Sequence, residues 1–163
     1  MDRVHLSLLD LTVALVVGAL LLSTLKHCGG DPGQAPPTVV ASRTLTPGML
    51  NSDVTQATIG RTICLHGWTQ TIRPPSSYTS QIKTEQMAAY GLTGSPSEYQ
   101  EDHLVSLELG GHPTDPRNLW PEPYPRAAEV DQIENDLNDK VCSGKLSLAE
   151  AQRTEANLKH EHG

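Results

Sequence analysis

The sequence predicts an α+β fold in one small domain that follows an N-terminal apolar segment. Two observations lead to this class. A β-compatible stretch at 103–109 is followed by a loop, a second short stretch at 118–120 and an amphipathic helical pattern at 126–141. Helical patterns also lie on both sides of this unit. Strands that are adjacent along the chain, with helices outside them, are typical of an α+β domain.

The N-terminal segment contains an apolar run at 11–22, between Arg3 and Lys26. A run of this length resembles the hydrophobic region of a secretory signal peptide. Extended to 6–25 it is long enough to cross a bilayer. Because no clear cleavage site follows, we expect residues 1–28 to be a signal or a transmembrane anchor, with the anchor favoured. The protein is therefore predicted to be extracytoplasmic, either secreted or attached to the membrane by this segment.

Residues 29–50 are rich in proline, glycine and small side chains, which predicts a flexible linker. The domain is then expected at 51–163. A capping-box pattern at Ser147 predicts its last helix. The elements expected before the central unit are a short helix at 51–63, a short strand at 67–73 and a helix at 79–90 that Gly91 ends.

Two cysteines lie in the domain region, Cys64 and Cys142. An even pair in a small exported domain is typical of a disulfide. Closing a loop of this length contributes roughly 4–5 kcal/mol in the chain-entropy model. The alternative is two unpaired buried thiols. Neither cysteine has another Cys or His at the spacing of a zinc site.

The charge of the chain restricts its partners. It has 12 Lys and Arg against 19 Asp and Glu, a formal net charge of −7. A general nucleic-acid binder gains most of its affinity by neutralising phosphates with Lys and Arg. Nucleic acid stays open as a partner, but the charge disfavours it.

The segment best suited to chemistry begins at Asp102 and His103 and continues through Gly110 and Gly111 to Asn118. A carboxylate directly before a histidine on a strand places the two side chains on opposite faces. One can hold a divalent cation while the other polarises a water molecule. The glycine pair lets the chain reverse tightly, and the asparagine after the turn can return beside the histidine to orient it.

This segment resembles the HNH, or ββα-metal, nuclease motif in its form D-H-x-x-P-L-x-x-G-G…N-L. It is also similar to small exported bacterial proteins of uncharacterised function that carry D-H-L-x-x-L-E-L-G-G…P-R-N-L-W-P-E-P. The motif covers about 20 residues and the broader likeness about 110. The resemblance implies a small ββα core flanked by helices.

The resemblance also implies roles for particular residues. His103 would activate water for attack on a phosphodiester, and Asp102 would ligate Mg²⁺ or a similar divalent ion. Asn118 would orient His103 or touch the metal. These roles agree with the preference of hard cations for carboxylate oxygens and with the competence of a neutral histidine as a base near pH 7.

Two positions depart from the family pattern. The family's third element is a histidine on the following helix, and its place falls here at Arg126 or Ala127. Asp131 is our choice of a substitute oxygen ligand among the acidic residues of that helix. The proline usual before the motif's leucine is Ser106. Two functions therefore stay open: a metal-dependent nuclease, or an inactive HNH-like scaffold that serves as a binding or structural domain of the cell envelope.

Overall fold

A computed structural model of the chain describes residues 39–163. Its strands are β1 (Tyr99–His103) and β2 (Leu119–Pro123). Its α-helices are α1 (Trp68–Ile72), α2 (Ser76–Ala89), α3 (Tyr124–Cys142) and α4 (Leu148–His162). Single 3-10 turns lie at Ile59–Arg61, Pro96–Glu98, Leu107–Leu109 and Pro116–Asn118. This mixture of helices with a small antiparallel sheet is the α+β class that the sequence predicts.

The predicted signal or anchor at 1–28 lies outside the described residues. Within 39–163, no helix combines the length and the apolar character that a membrane crossing requires.

The register of the sheet explains why β2 tolerates two prolines. The Leu104 N–H donates to the Asn118 carbonyl at 2.8 Å, so the even-numbered residues of β1 turn their backbone groups toward β2. Pro121 and Pro123 stand opposite odd-numbered residues of β1. Their missing N–H groups therefore fall at positions that carry no ladder hydrogen bond.

The outer edge of β1 is covered by lysines. Lys83 Nζ, from α2, donates to the carbonyl of Tyr99 at 2.9 Å. Lys159 Nζ, from α4, donates to the carbonyl of His103. Unpaired edge carbonyls invite pairing with another chain, and these ammonium groups satisfy two of them.

The segment 39–50, which composition assigned to the linker, is packed in the structure. The Ala41 N–H donates to the carbonyl of Lys159 at 3.0 Å. Thr46 Oγ1 donates to the carbonyl of Leu119 at 3.1 Å, and both Ala41 and Thr46 are buried. The linker therefore does not extend to residue 50. Proline and glycine mark a flexible chain only where no neighbour takes up the backbone groups. Here the carbonyls of Lys159 and Arg117 accept from the N–H groups of Ala41 and Gly48.

The helix predicted at 51–63 is wrong. This stretch consists of turns with one 3-10 turn at its end. Side chains bond the local backbone here: Asn51 Oδ1 accepts from the Asp53 N–H at 3.0 Å, and Thr58 Oγ1 donates to the Asp53 carbonyl at 2.7 Å. Such short-range bonds compete with helical ones, which is why Asn, Asp and Thr favour turns.

The strand predicted at 67–73 is also wrong, because this stretch is the short helix α1. Five residues are too few for an alternating pattern to separate a strand from one helical turn. Gly67, in the left-handed region at φ +81°, begins the helix, and Arg73, in the extended region, follows its last residue.

The strand expected at 103–109 is displaced. β1 ends at His103 instead of beginning there, and the apolar residues after it form a buried loop. Leu104, Val105 and Leu107 are each 2% exposed or less. Their apolar pattern indicates that the side chains are buried against the core, and residues of a loop can be buried there as well as residues of a strand.

The helices around the sheet agree better with prediction. The helix expected at 79–90 is α2, and Gly91 follows its end at φ +66°. The helix expected at 126–141 is α3. Ser147 caps α4, and its side chain and that of Glu150 form the reciprocal capping box.

The predicted disulfide is confirmed. Cys64 and Cys142 are bonded, with their Cα atoms 5.5 Å apart. The bond ties the turns before α1 to the end of α3, beside the main apolar core. The buried members of that core are Val54, Ile63, Val105, Leu109, Leu137, Val141, Leu148 and Ala151.

Candidate functional site

His103 is the last residue of β1, and its ring is held by the loop that follows. Its Nε2 lies 3.0 Å from the carbonyl oxygen of Pro113. A carbonyl only accepts, so in the neutral ring Nε2 carries the hydrogen and Nδ1 carries the lone pair. Among residues 39–163, none bonds Nδ1. The residue is 6% exposed, and burial lowers the pKa of His103, which keeps the ring neutral at pH 7.

Asn118 closes the loop from inside. Its Oδ1 accepts from the Val105 N–H at 3.0 Å, and its Nδ2 donates to the carbonyls of Val105 at 3.0 Å and His112 at 3.1 Å. The side chain is fully buried. None of these bonds reaches His103, because backbone groups of Val105 and His112 occupy both ends of the amide. Asn118 holds the loop at His112, next to Pro113, whose carbonyl bonds the His103 ring.

The glycine pair of the motif is required by space. A Cβ on Gly111 would lie 1.7 Å from the Val105 carbonyl oxygen and 2.6 Å from Asn118 Nδ2. Gly110 adopts φ +78°, and a Cβ there would lie 2.5 Å from a methyl of Val54. The tight reversal that the sequence predicts depends on both residues lacking a side chain.

Asp102 points away from His103, as alternation along a strand requires. Its Oδ2 accepts from Lys159 Nζ at 2.7 Å. The same ammonium lies 2.7 Å from Glu134 Oε1 and 3.4 Å from Glu155 Oε1. The side chains of Lys159 and Glu155 are fully buried, and those of Asp102 and Glu134 are 15% and 13% exposed.

Sequence reasoning missed Lys159. The signal was present in the period of α4, where Leu148, Ala151, Glu155 and Lys159 recur every three or four residues on one buried face. Two oppositely charged residues four apart on an apolar face indicate a buried ion pair. That spacing does not reveal which other carboxylates meet the lysine.

The ionisation of this cluster follows from burial and from the ammonium. Burial alone would lower the pKa of Lys159, but Asp102, Glu155 and Glu134 raise it well above its usual value. Burial alone would raise the pKa of Asp102, but Lys159 lowers it below the usual value. At neutral pH the cluster therefore contains a charged lysine bound to an ionised aspartate.

Burial shifts the other carboxyl groups of the cluster toward the neutral form. Burial, followed by the charge of Asp102, raises the pKa of Glu122 to about 9. Burial also raises the pKa values of Glu134 and Glu155. One ammonium cannot offset four buried anions, so protons balance the remaining charge.

A cleft of about 570 Å³ opens beside His103. Arg73 lies close enough to His103 and Glu108 to act on both electrostatically. The predicted ligand Asp131 also lines the cleft, from an exposed position on α3. The other polar residues of its wall are Ser76, Thr79, Gln100, Glu101, Asp102, Ser106 and Glu134.

The three predicted metal ligands do not fit a divalent cation as they stand. Asp102 is bound to Lys159, and Asn118 is bound to the backbone. Asp131 shares the cleft with His103, but neither Asp102 nor Asn118 is free to bind an ion together with it. Ala127, at the place of the family's helical histidine, is buried. Within residues 39–163, no group of three or more His, Cys, Asp or Glu side chains is arranged to hold a metal ion.

Comparison with models of protein families, with curated proteins and with solved structures gave no match to this chain.

Proposed function

We propose that this chain is an extracytoplasmic hydrolase of HNH-like design, in which His103 is the general base for the hydrolysis of a phosphodiester. The order of the elements supports the HNH-like part of the proposal: β1, a loop tied by Asn118, β2 and then α3 follow one another along the chain. Asp102 and His103 lie at the end of β1, and Gly110 and Gly111 lie in that loop.

The observation that carries the proposal is the hydrogen bond from His103 Nε2 to the Pro113 carbonyl. It holds the ring and leaves Nδ1 with the lone pair that a base needs. In the proposed step, Nδ1 removes a proton from water while the water oxygen bonds to phosphorus. The bond from phosphorus to the leaving oxygen breaks, and that oxygen takes up a proton from solvent.

Arg73 is the residue best placed to bind the phosphate, because it lines the same cleft and its charge acts on His103. Glu108 and Asp131 line the cleft as well, and their charge repels a long polyanion. A short or single-stranded phosphodiester therefore suits the cleft better than a duplex.

A second function is favoured by a different observation. Asp102, the motif's metal ligand, is held by Lys159 at 2.7 Å. In a non-catalytic scaffold, the carboxylate at the metal-binding position of the motif would stabilise the fold and would not bind a metal. In that case the domain binds a partner or serves the structure of the cell envelope.

The proposed location rests on the apolar run at 11–22 and on the disulfide. Disulfides persist mainly in oxidising compartments, which agrees with export. We propose that the N-terminal segment directs the chain to the membrane and that residues 39–163 function outside the cytosol.

The test uses the purified full-length chain with bis(p-nitrophenyl) phosphate and a single-stranded oligonucleotide, in EDTA and with Mg²⁺ or Mn²⁺. We expect hydrolysis that falls by about 100-fold in His103→Ala, the usual contribution of a general base. His66→Ala is the matched control, since His66 is exposed and lies away from the cleft lining. Hydrolysis unchanged in His103→Ala would contradict the mechanism, and no hydrolysis by the wild type under any condition would favour the scaffold.

A further inference from the structure

Three carboxyl groups lie within 3.4 Å of one ammonium group, and a fourth is close enough to act on it electrostatically. Asp102 comes from β1, Glu122 from β2, Glu134 from α3, and Glu155 and Lys159 from α4. Lys159 Nζ also donates to the carbonyl of His103, so oxygen atoms surround it. We call these four carboxyl groups the carboxylate cage.

The cage differs from an ordinary ion pair because its four carboxyl groups outnumber the one ammonium group that could neutralise them. Glu122 is fully buried, and neither of its carboxyl oxygens accepts a hydrogen bond from residues 39–163. The charge of Asp102 is close enough to act on this carboxyl group electrostatically. A buried carboxyl group without a donor is costly, so its place beside Asp102 calls for a specific reason.

We propose that the ammonium of Lys159 takes the place of a divalent metal ion in this cage, so that the chain carries its own cation. Lys159 Nζ lies within 3.4 Å of Asp102, Glu134 and Glu155. Carboxylate and carbonyl oxygens from separate elements are the ligands that hard divalent ions select. The lysine stem enters from α4, so the cation is supplied by folding and needs no uptake from solution.

The proposal has a direct consequence. With Lys159 in place, residues 39–163 contain no group of acidic side chains arranged to hold a metal ion. If the ammonium replaces a metal ion, shortening Lys159 should open a site for one. The readout is ion binding, so the inference goes beyond the proposed hydrolysis and is tested independently of it.

The experiment measures Mn²⁺ binding to the full-length chain by calorimetry and by electron paramagnetic resonance. We expect Lys159→Ala to bind one Mn²⁺ with a dissociation constant on the order of 10⁻⁵ M or tighter, as sites with several carboxylate ligands do. Adding Glu134→Gln to that variant should weaken binding by about tenfold, because it removes a carboxylate that lies 2.7 Å from the ammonium position.

Two control variants separate the cage from other causes. Lys159→Met keeps the bulk of the stem and should bind no ion, because the methionine side chain fills the space. Lys140→Ala removes a lysine from an exposed pair with Asp136 and should behave as the wild type. Equal Mn²⁺ binding by Lys159→Met and Lys159→Ala would overturn the proposal.

The wild type supplies a further test. Its melting temperature should be the same in EDTA and in Mn²⁺, because the cation is already present. One Mn²⁺ bound by the wild type and lost in Asp102→Asn would overturn the proposal.

A Lys159→Ala chain that folds only with the ion is also a decisive outcome. Circular dichroism would then show an unfolded chain in EDTA and a folded one in Mn²⁺, which supports the replacement. A folded Lys159→Ala chain that binds no Mn²⁺, or an unfolded one that Mn²⁺ does not restore, overturns it.

Discussion

The side chain of Asn118 pairs with the backbone of Val105 in both directions, accepting from its N–H and donating to its carbonyl at 3.0 Å each. The amide thus does for the loop what a neighbouring strand does in a sheet. It continues the pairing of β1 with β2 beyond His103, although the chain between Val105 and Asn118 is irregular. The loop that holds the His103 ring therefore depends on one buried side chain.

Removing the Asn118 amide should destabilise the domain. In Asn118→Ala the Val105 N–H and carbonyl lose their partner while buried, and we expect a loss of about 3 kcal/mol in the free energy of unfolding. Denaturant titration measures it. Asn157→Ala is the matched control, because Asn157 makes one exposed contact with Arg43 and should cost about 0.5 kcal/mol or less. Equal stability of the two variants would contradict the loop assignment.

Gly111 should tolerate no side chain. The added methyl of Gly111→Ala would overlap the Val105 carbonyl, at 1.7 Å, and would displace Asn118. We expect a loss of about 4 kcal/mol or more, within the range that only severe steric or burial defects reach. Gly60→Ala provides the comparison, since a Cβ there meets nothing within 4 Å. Melting curves for both variants decide the point, and a Gly111→Ala chain as stable as the wild type would show that the loop adopts another path.

The Asp102–Lys159 pair should matter far more than a surface pair. Asp102→Ala leaves the ammonium of Lys159 buried with its ionised partner removed, at an expected cost of about 3–5 kcal/mol. Asp136→Ala breaks the exposed pair with Lys140 and should cost about 1 kcal/mol or less. Urea titrations of the two variants at neutral pH compare these costs. Similar values would mean that the buried pair contributes no more than an exposed one.

Glu122 should make the stability of the domain fall with rising pH. Because burial and Asp102 raise the pKa of Glu122 to about 9, the folded state keeps a proton that the unfolded chain releases above its usual carboxyl pKa. The contribution of Glu122 to the free energy of unfolding is thus full below about pH 4.5 and is lost progressively up to about pH 9. The free energy of unfolding falls with a limiting slope of about 1.4 kcal/mol per pH unit.

The variant Glu122→Gln isolates this effect, because the amide is close in shape but does not ionise. Its melting temperature should decline less between pH 5 and pH 9 than that of the wild type. Glu150→Gln is the matched comparison, since Glu150 is exposed at the start of α4. Parallel pH profiles for Glu122→Gln and the wild type would show that this carboxyl group does not hold the proton.

The loop around His103 shows how far sequence patterns reach. Gly110, Gly111 and Asn118 predicted a tight reversal, since missing side chains and a returning amide have local consequences. The sequence places β1 too far along the chain, because buried loop residues such as Leu104 and Leu107 have the apolar spacing that is typical of a strand. The contacts of Asn118 lie beyond the sequence for a related reason: a sequence shows that an amide returns to the loop, but not which atoms it meets.

By itself, the sequence determined the α+β class, the Cys64–Cys142 bond and the start of α4 at Ser147, because each depends on residue type, short spacing or a single available partner. Tertiary structure decided the partner of Asp102. Lys159 lies 57 residues further along the chain, and local sequence patterns do not predict a contact between residues so far apart. The energy of a buried charge depends on which groups folding brings around it, and only the packed arrangement of β1, β2, α3 and α4 specifies those groups.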